Sequence, residues 1–144
     1  MSPVLAAHFS DYAVHHRSRG NQVCHYLGIP LILLTALALL SRVSLIEVGG
    51  FSVTLAEVLV LAGTAYYLTL DRALALLMLV VSVGLLVAGR QLPLGWAAGL
   101  FALGWVFQLA GHSLFEHRAP AFLHNLAHLL IGPLWIVAKA IGRA

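Results

Sequence analysis

The chain has 144 residues, 61% hydrophobic and only 9% charged, with a net charge of +3. A water-soluble domain carries roughly 25% charged residues, so these few cannot cover a water-facing surface, and a mean hydropathy of +0.96 points to lipid as the solvent. The basic residues are scattered between apolar runs, which excludes a nucleic-acid-binding face, and Cys24 stands alone, which excludes an internal disulfide.

The first 27 residues are polar and hold His8, Asp11, Tyr12, His15, His16, Arg17, Arg19 and Asn21. They lack the apolar stretch and cleavage site of a signal peptide, so this region is expected to be retained. Five apolar segments follow, at about 28–46, 51–70, 73–89, 92–111 and 120–141. A spanning helix needs about 20 apolar residues, and backbone groups in lipid must pair within their own segment. No stretch alternates with period two, which argues against a barrel. The expectation is an all-α fold: one integral membrane domain, 1–144, forming a multi-pass transmembrane helical bundle with four to five membrane segments behind a polar, histidine-bearing N-terminal region.

Gly28 and Pro30 mark the start of the first segment, and Gly49-Gly50 separates it from the second. Asp71-Arg72 is a tight polar turn, and Gly89-Arg90-Gln91 precedes Pro93. Residues 112–120 form the longest later polar interruption. Gly132-Pro133 interrupts the fifth segment, which either kinks there or lies re-entrant or along the interface. Gly95 and Gly99 form a small-residue pair of the kind that lets helices approach closely.

Four crossings return a chain to its starting side. His25 precedes the first segment and His112 follows the fourth, so the two share a membrane face although 86 positions separate them. Arg17, Arg19, Arg72 and Arg118 fall on that face, against Arg42 and Arg90 on the other, which makes the histidine face cytoplasmic. The expected location is a bacterial inner membrane or an endoplasmic-reticulum membrane.

All eight histidines lie in the polar regions or the fifth segment, and none in the first four. Neutral imidazole is the commonest protein ligand for zinc, iron and copper. Tyr12 and His16 are one helical turn apart, as are Asn21 and His25, His112 and Glu116, and His124 and His128. His16, His25 and His112 are the candidate shared ligands. His128 is either a fourth ligand or a satisfied core histidine, because polar groups inside apolar segments are expensive. His8, His15 and His117 read as interfacial side chains bonded to headgroups or water. Asn21 either turns the chain after Gly20 or orients His25. Arg17, Arg19 and Arg118 are either interface anchors or recognise a carboxylate.

Two motifs carry a family resemblance. One is Tyr12-x3-His16-x4-Asn21-x3-His25-x2-Gly28-Ile29-Pro30. The other is Gln108-x2-Gly111-His112-x2-Phe115-Glu116-x-Arg118-Ala119-Pro120-Ala121, with Asn125 and Pro133 beyond it. Together they resemble the small membrane 2-hydroxy fatty acid dioxygenases, and they bracket nearly the whole chain. The resemblance implies an oxidoreductase with mononuclear Fe2+ and O2 as co-substrate, performing α-oxidation that shortens a 2-hydroxy fatty acid by one carbon. It maps the essential histidines onto His16, His25 and His112 and the acidic residue of the second motif onto Glu116; on the residues themselves, His128 or Glu116 would be a supplementary ligand. Catalytic candidates are Glu116, Asn21 and Tyr12, and Arg118 or Arg17 would meet the substrate carboxylate. His117, His124 and His128 depart from the family's pattern, as does Lys139, where relatives tend to carry an acidic residue. Expected partners are the bilayer and the fatty acid, without nucleic acid. No Gly-x-Gly-x-x-Gly follows a strand, so no NAD or flavin is expected. Three other readings compete: a di-iron lipid hydroxylase or desaturase, a b-type haem carrier with His25 and His112 as axial ligands, and a small transporter.

Overall fold

The computed structural model describes residues 1–117, 120, 122 and 125–144. Among them the chain is predominantly helical, with six α-helices and one short hairpin.

The polar N-terminal region is helical for most of its length. Helix α1 (Pro3–Val14) starts at Ser2, whose hydroxyl accepts the Leu5 amide at 3.2 Å, with proline in its first turn. Leu5, Phe9 and Tyr12 follow one another at helical spacing, and all three are buried. Helix α2 (Arg19–Leu40) starts at Ser18, whose hydroxyl accepts the Asn21 amide at 3.2 Å. It therefore begins nine residues before Gly28, and Pro30 lies inside it instead of opening it. Membrane helices tolerate an interior proline because the freed carbonyl is satisfied locally. The consequence is functional: His25 rides on a helix rather than on a connecting loop.

The all-α expectation fails between the first two segments. Ser44–Val48 (β1) and Phe51–Thr54 (β2) form an antiparallel hairpin with Val48 opposite Phe51. Gly49 and Gly50 are its two-residue turn, with φ of 56° and 83°. A two-residue turn with both central φ positive matches the right-handed twist of paired strands, and glycine takes it without strain.

Thr54 and Glu57 then cap α3 (Leu55–Leu70) reciprocally. Asp71 caps α4 (Arg72–Arg90), accepting the Leu74 amide at 3.0 Å. Helix α5 (Leu94–Ala110) runs on into a π-helical turn, Gly111–Glu116. Helix α6 (Ala127–Ala140) passes through Pro133.

Three helical stretches among the described residues are long and apolar enough to cross a membrane: Arg19–Leu40, Arg72–Arg90 and Leu94–Glu116. At 16 and 14 residues, α3 and α6 are shorter. At 1.5 Å per residue α3 is about 24 Å long and α6 about 21 Å, against a hydrocarbon thickness of roughly 30 Å. So the expected four to five full-length segments become three long helices and two short apolar ones.

Helix α2 is central, packed against α5, α4, α3 and α6. One core joins Leu5, Phe9 and Tyr12 of α1 to Ile131, Leu134 and Trp135 of α6 and to Leu74 and Met78 of α4. A second lies towards the hairpin end, around Leu37, Ala56, Val60 and Leu86. Glycines let the helices close. A Cβ on Gly104 would lie 2.7 Å from Ile32, and one on Gly28 would lie 2.9 Å from the Gly104 carbonyl. The α2–α5 contact therefore requires small residues on both sides.

Candidate metal centre

His16 sits just after α1 and is 3% exposed. Its Nδ1 donates to the Tyr12 carbonyl at 2.7 Å, and its ring stacks on the Tyr12 ring with centroids 3.9 Å apart. His25, in the second turn of α2, repeats the device: its Nδ1 donates to the Asn21 carbonyl at 2.9 Å. A carbonyl oxygen can only accept, so in both rings the proton is on Nδ1 and the Nε2 lone pair is free.

Those two free nitrogens face each other at 2.9 Å. Neither has a proton to share. Burial first, and the facing His25 second, push the His16 imidazole down from 6.5 to about 3, so it is neutral at physiological pH. Two lone pairs this close repel unless a cation lies between them. Two imidazole nitrogens at right angles, each about 2.1 Å from one ion, would stand about 3.0 Å apart.

His112 completes the group. A ligand nitrogen from each of the three rings can be chosen so that all lie within 4.8 Å of one another, and all three residues are buried. The ring centroids are 4.3, 5.0 and 4.8 Å apart, with interplanar angles of 76°, 68° and 89°. Three mutually steep rings, each offering a nitrogen within 4.8 Å of the others, can supply one face of a coordination polyhedron. The donor set fits a single transition-metal ion.

Local sequence explains the convergence. His112 lies in the π-helical turn, a widening that recurs at functional sites. The residue before it is Gly111, where a Cβ would stand 2.5 Å from Asn21 Oδ1 and 3.4 Å from His25 Nδ1. Only glycine lets α5 come this near α2 beside His25. Glu116, at the end of the same turn, accepts the Ser18 amide at 2.8 Å and the Asn21 side-chain amide at 3.3 Å. Asn21 Nδ2 also donates to the His15 carbonyl at 3.2 Å. A carboxylate at the N-terminus of α2 suits the helix dipole. Glu116 and Asn21 thus bind the start of α2 to the end of α5 and set the spacing between His25 and His112. Tyr12 is 2% exposed, and burial, then the nearby Tyr26, raise its phenol above the ordinary range, so it stays protonated.

His128 lies beside this group. Its Nε2 is 2.8 Å from Asp11 Oδ2, and its ring centroid is 5.6 Å from that of Tyr12. Its buried Nδ1 has no partner among the described residues. Asp11 is a residue that sequence reasoning passed over as a partner; its only signal is its place one turn before His15. Arg17 is exposed next to His16. Arg118 and His124 lie outside the described residues.

The histidines stand at one end of a cavity of about 450 Å³, within the usual range for small-molecule sites. The stripe His25, Ile29, Ile32, Leu33, Ala36 and Leu37 lines it along α2, and Trp105, Gln108 and His112 line it along α5. Gln108 is 5% exposed, and its Nε2 has no partner among the described residues. Apart from the histidine end, the walls are largely aliphatic and aromatic.

This geometry joins the two motifs around one site, and comparison with known proteins agrees on the whole chain. The family described as Mpo1-like, 2-hydroxy-palmitic acid dioxygenase Mpo1-like, matches residues 3–144. The chain belongs to the Mpo1-like family. A Saccharomyces cerevisiae relative, the 2-hydroxy-palmitic acid dioxygenase MPO1, is 28% identical over 134 residues, covering 92% of this chain and 77% of the yeast protein. No solved structure matches. Within the Mpo1-like family, then, this member places three of its histidines together at the polar end of an apolar cavity.

Proposed function

We propose that this protein is an iron(II)-dependent dioxygenase that removes one carbon from 2-hydroxy fatty acids. The observation that carries the reading is the pair of imidazole nitrogens facing each other at 2.9 Å without a proton between them, with a third imidazole alongside, at the head of an apolar cavity. Membership of the Mpo1-like family and the name of the yeast relative supply the reaction class.

His16, His25 and His112 would hold the ion. Iron(II), when bound, supplies the redox chemistry that dioxygen and a saturated acid lack between them. The balance closes with no further reductant: one 2-hydroxy acid and one O2 give an acid one carbon shorter, CO2 and water. This accords with the absence of any nucleotide-binding motif in the sequence.

The protein's own groups do the rest. The Tyr12 and Asn21 carbonyls hold the two Nδ1 protons, which keeps the Nε2 lone pairs aimed at one point. All three histidines line the cavity, and the polar head of a 2-hydroxy acid would sit beside them with its carboxyl and hydroxyl oxygens side by side. The aliphatic walls take the tail and keep water from the reacting carbons. Holding the head still beside the tripod is a proximity effect. The carboxylate's charge calls for a cation, and Arg17 and Arg118 are the candidates. Tyr12 and His128 line the same cavity, with Tyr12 as a proton-bearing hydroxyl and His128 as a free ring nitrogen backed by Asp11. His128 is therefore a fourth ligand or a proton acceptor for the substrate hydroxyl.

Two observations favour this reading over its rivals. Among the described residues the ligand group is three histidines with no carboxylate, which is meagre for two irons. His16 also stands 2.9 Å from the His25 nitrogen, where a haem between His25 and His112 would need its flat ring.

The test is to purify the protein, measure its metal content, and follow loss of 2-hydroxypalmitate and appearance of pentadecanoate under air. Iron near one per chain with the shortened acid as product is the expected result. A preparation reloaded with iron that leaves the acid untouched would sink the reading.

A further inference from the structure

The cavity has a floor, and one bare position in its wall. Along α2 it runs from His25 to Leu37, twelve residues or about 18 Å. An extended chain covers about 1.2 Å per bond, taking the reach of an extended polypeptide and three bonds per residue, so this length accommodates about fifteen bonds. At the far end Leu37 and Val60 both line the cavity and both belong to the packed cluster that also holds Ala56 and Leu86. That cluster closes the space.

Helix α3 contributes a stripe to the wall: Val60, Gly63, Thr64 and Tyr67, at the spacing of one helical face. Three of these carry side chains, and Gly63 does not. A Cβ built on Gly63 meets nothing within 4 Å, whereas at Gly28, Gly104 and Gly111 it would strike a neighbouring helix. Gly63 is therefore not a packing glycine. It also has no turn to make, since it lies in the middle of a regular helix, where glycine costs about 1 kcal/mol relative to alanine. What its missing side chain leaves is room in the cavity, one turn above the floor residue Val60.

We propose that Gly63 and the Leu37–Val60 floor set how long an acyl tail the cavity admits. A large side chain at position 63 would raise the effective floor by about one helical turn, roughly 5 Å, or about four carbons. The occupant follows from the two ends of the cavity: imidazoles at one, aliphatic side chains along the rest, and a bore parallel to a helix long enough to span a bilayer. This rests on the fatty acid reading above, but not on turnover.

The experiment compares the unaltered protein with Gly63→Ala, Gly63→Phe and Gly84→Phe. Gly84 is a control: it lies exposed on α4, where an added Cβ also meets nothing. Two readouts are taken with 2-hydroxylaurate, 2-hydroxypalmitate and 2-hydroxyarachidate: the rise in Tm on binding, and kcat/KM under air. In the unaltered protein and in Gly84→Phe, 2-hydroxypalmitate gives the largest values. In Gly63→Phe the preference moves to 2-hydroxylaurate, and the laurate-to-palmitate ratio rises about tenfold or more, since each methylene refused by an apolar pocket is worth at least that. Gly63→Ala falls between. If Gly63→Phe keeps the original length preference, or if no 2-hydroxy acid raises the Tm of any form, the inference is overturned. If the Tm preference shifts as stated while no form turns over substrate, the gauge stands and the dioxygenase reading falls.

Discussion

The two ends of the bundle are built on opposite plans. The histidine end brings His112 to His16 and His25 from a distant stretch of chain, buries all three, and spaces them through Glu116 and Asn21. The hairpin end is local and exposed. Its strands are neighbours in sequence, most of its residues face outward, and its polar contacts, such as Arg42 to the Leu92 carbonyl and Arg90 to Glu57, tie helix ends together at the surface. Buried polar groups are costly unless each has a partner, whereas exposed ones find water. Substitutions at the first end should therefore change metal content, and those at the second only stability.

The sharpest way to break that contrast is to remove a ligand. His16→Ala, His25→Ala and His112→Ala should each take bound metal from about one ion per chain to near none, because two imidazoles hold an ion far less firmly than three. Oxidation of the 2-hydroxy acid should vanish with it. Elemental analysis of the three variants beside the unaltered protein checks this, and a variant that keeps its full metal content removes that histidine from the ligand set. Next in size is Glu116→Ala. It strands the Ser18 amide and one Asn21 donor, so the spacing of His25 from His112 loosens. Groups that orient ligands cost about 10–100-fold in metal affinity when removed. Glu116→Gln keeps an oxygen acceptor and should recover most of the affinity, a rescue that a ligand role for the carboxylate would not permit.

Acid should distinguish the ends more gently. In the unfolded chain His16 has its ordinary value of 6.5, and in the folded chain burial holds it near 3. Its folded value is depressed, so the unfolded state binds the extra proton as pH falls. The metal-free protein should therefore keep its full stability above about pH 6.5 and lose it progressively towards pH 3. Bound metal occupies the same lone pair and should shift that loss to lower pH. Thermal melts of metal-free and loaded protein across this range would show it, and identical pH profiles would mean that the ion sits elsewhere.

Much of the site was legible from residue order alone. The confinement of histidine to a few stretches, with four apolar segments between His25 and His112, raises the expectation that the two share a face, and in the structure their rings lie 4.8 Å apart, although only three of the described apolar helices are long enough to cross a membrane. What stayed hidden has physical causes. Pro30 reads as a helix start in water, yet in an apolar helix it is tolerated inside, so the first segment is expected to open at Gly28, nine residues after α2 begins. Gly49-Gly50 reads as a break between helices, but two consecutive positive φ values also make the tightest hairpin, and Ser44–Val48 is too short to announce a strand. The Asp11–His128 pair joins residues 117 positions apart, and no local spacing encodes it. The cavity is likewise invisible in sequence: its α2 stripe looks the same as a stripe buried against another helix.

The smallest expected effect lies at that hairpin, and it is the control for all the others. Gly50 has φ of 83° and nothing within 4 Å of where a Cβ would stand, so Gly50→Ala adds backbone strain and no clash. Left-handed backbone costs a non-glycine residue about 1–2 kcal/mol, which in a domain of this size lowers Tm by a few degrees. Gly50 lies at the end of the molecule remote from the tripod, beyond the Leu37–Val60 floor, so metal content and the rate of acid oxidation should match the unaltered protein. A drop in either would mean that the hairpin is coupled to the tripod through the length of α2, and the division of the molecule into a chemical end and a structural end would have to be given up.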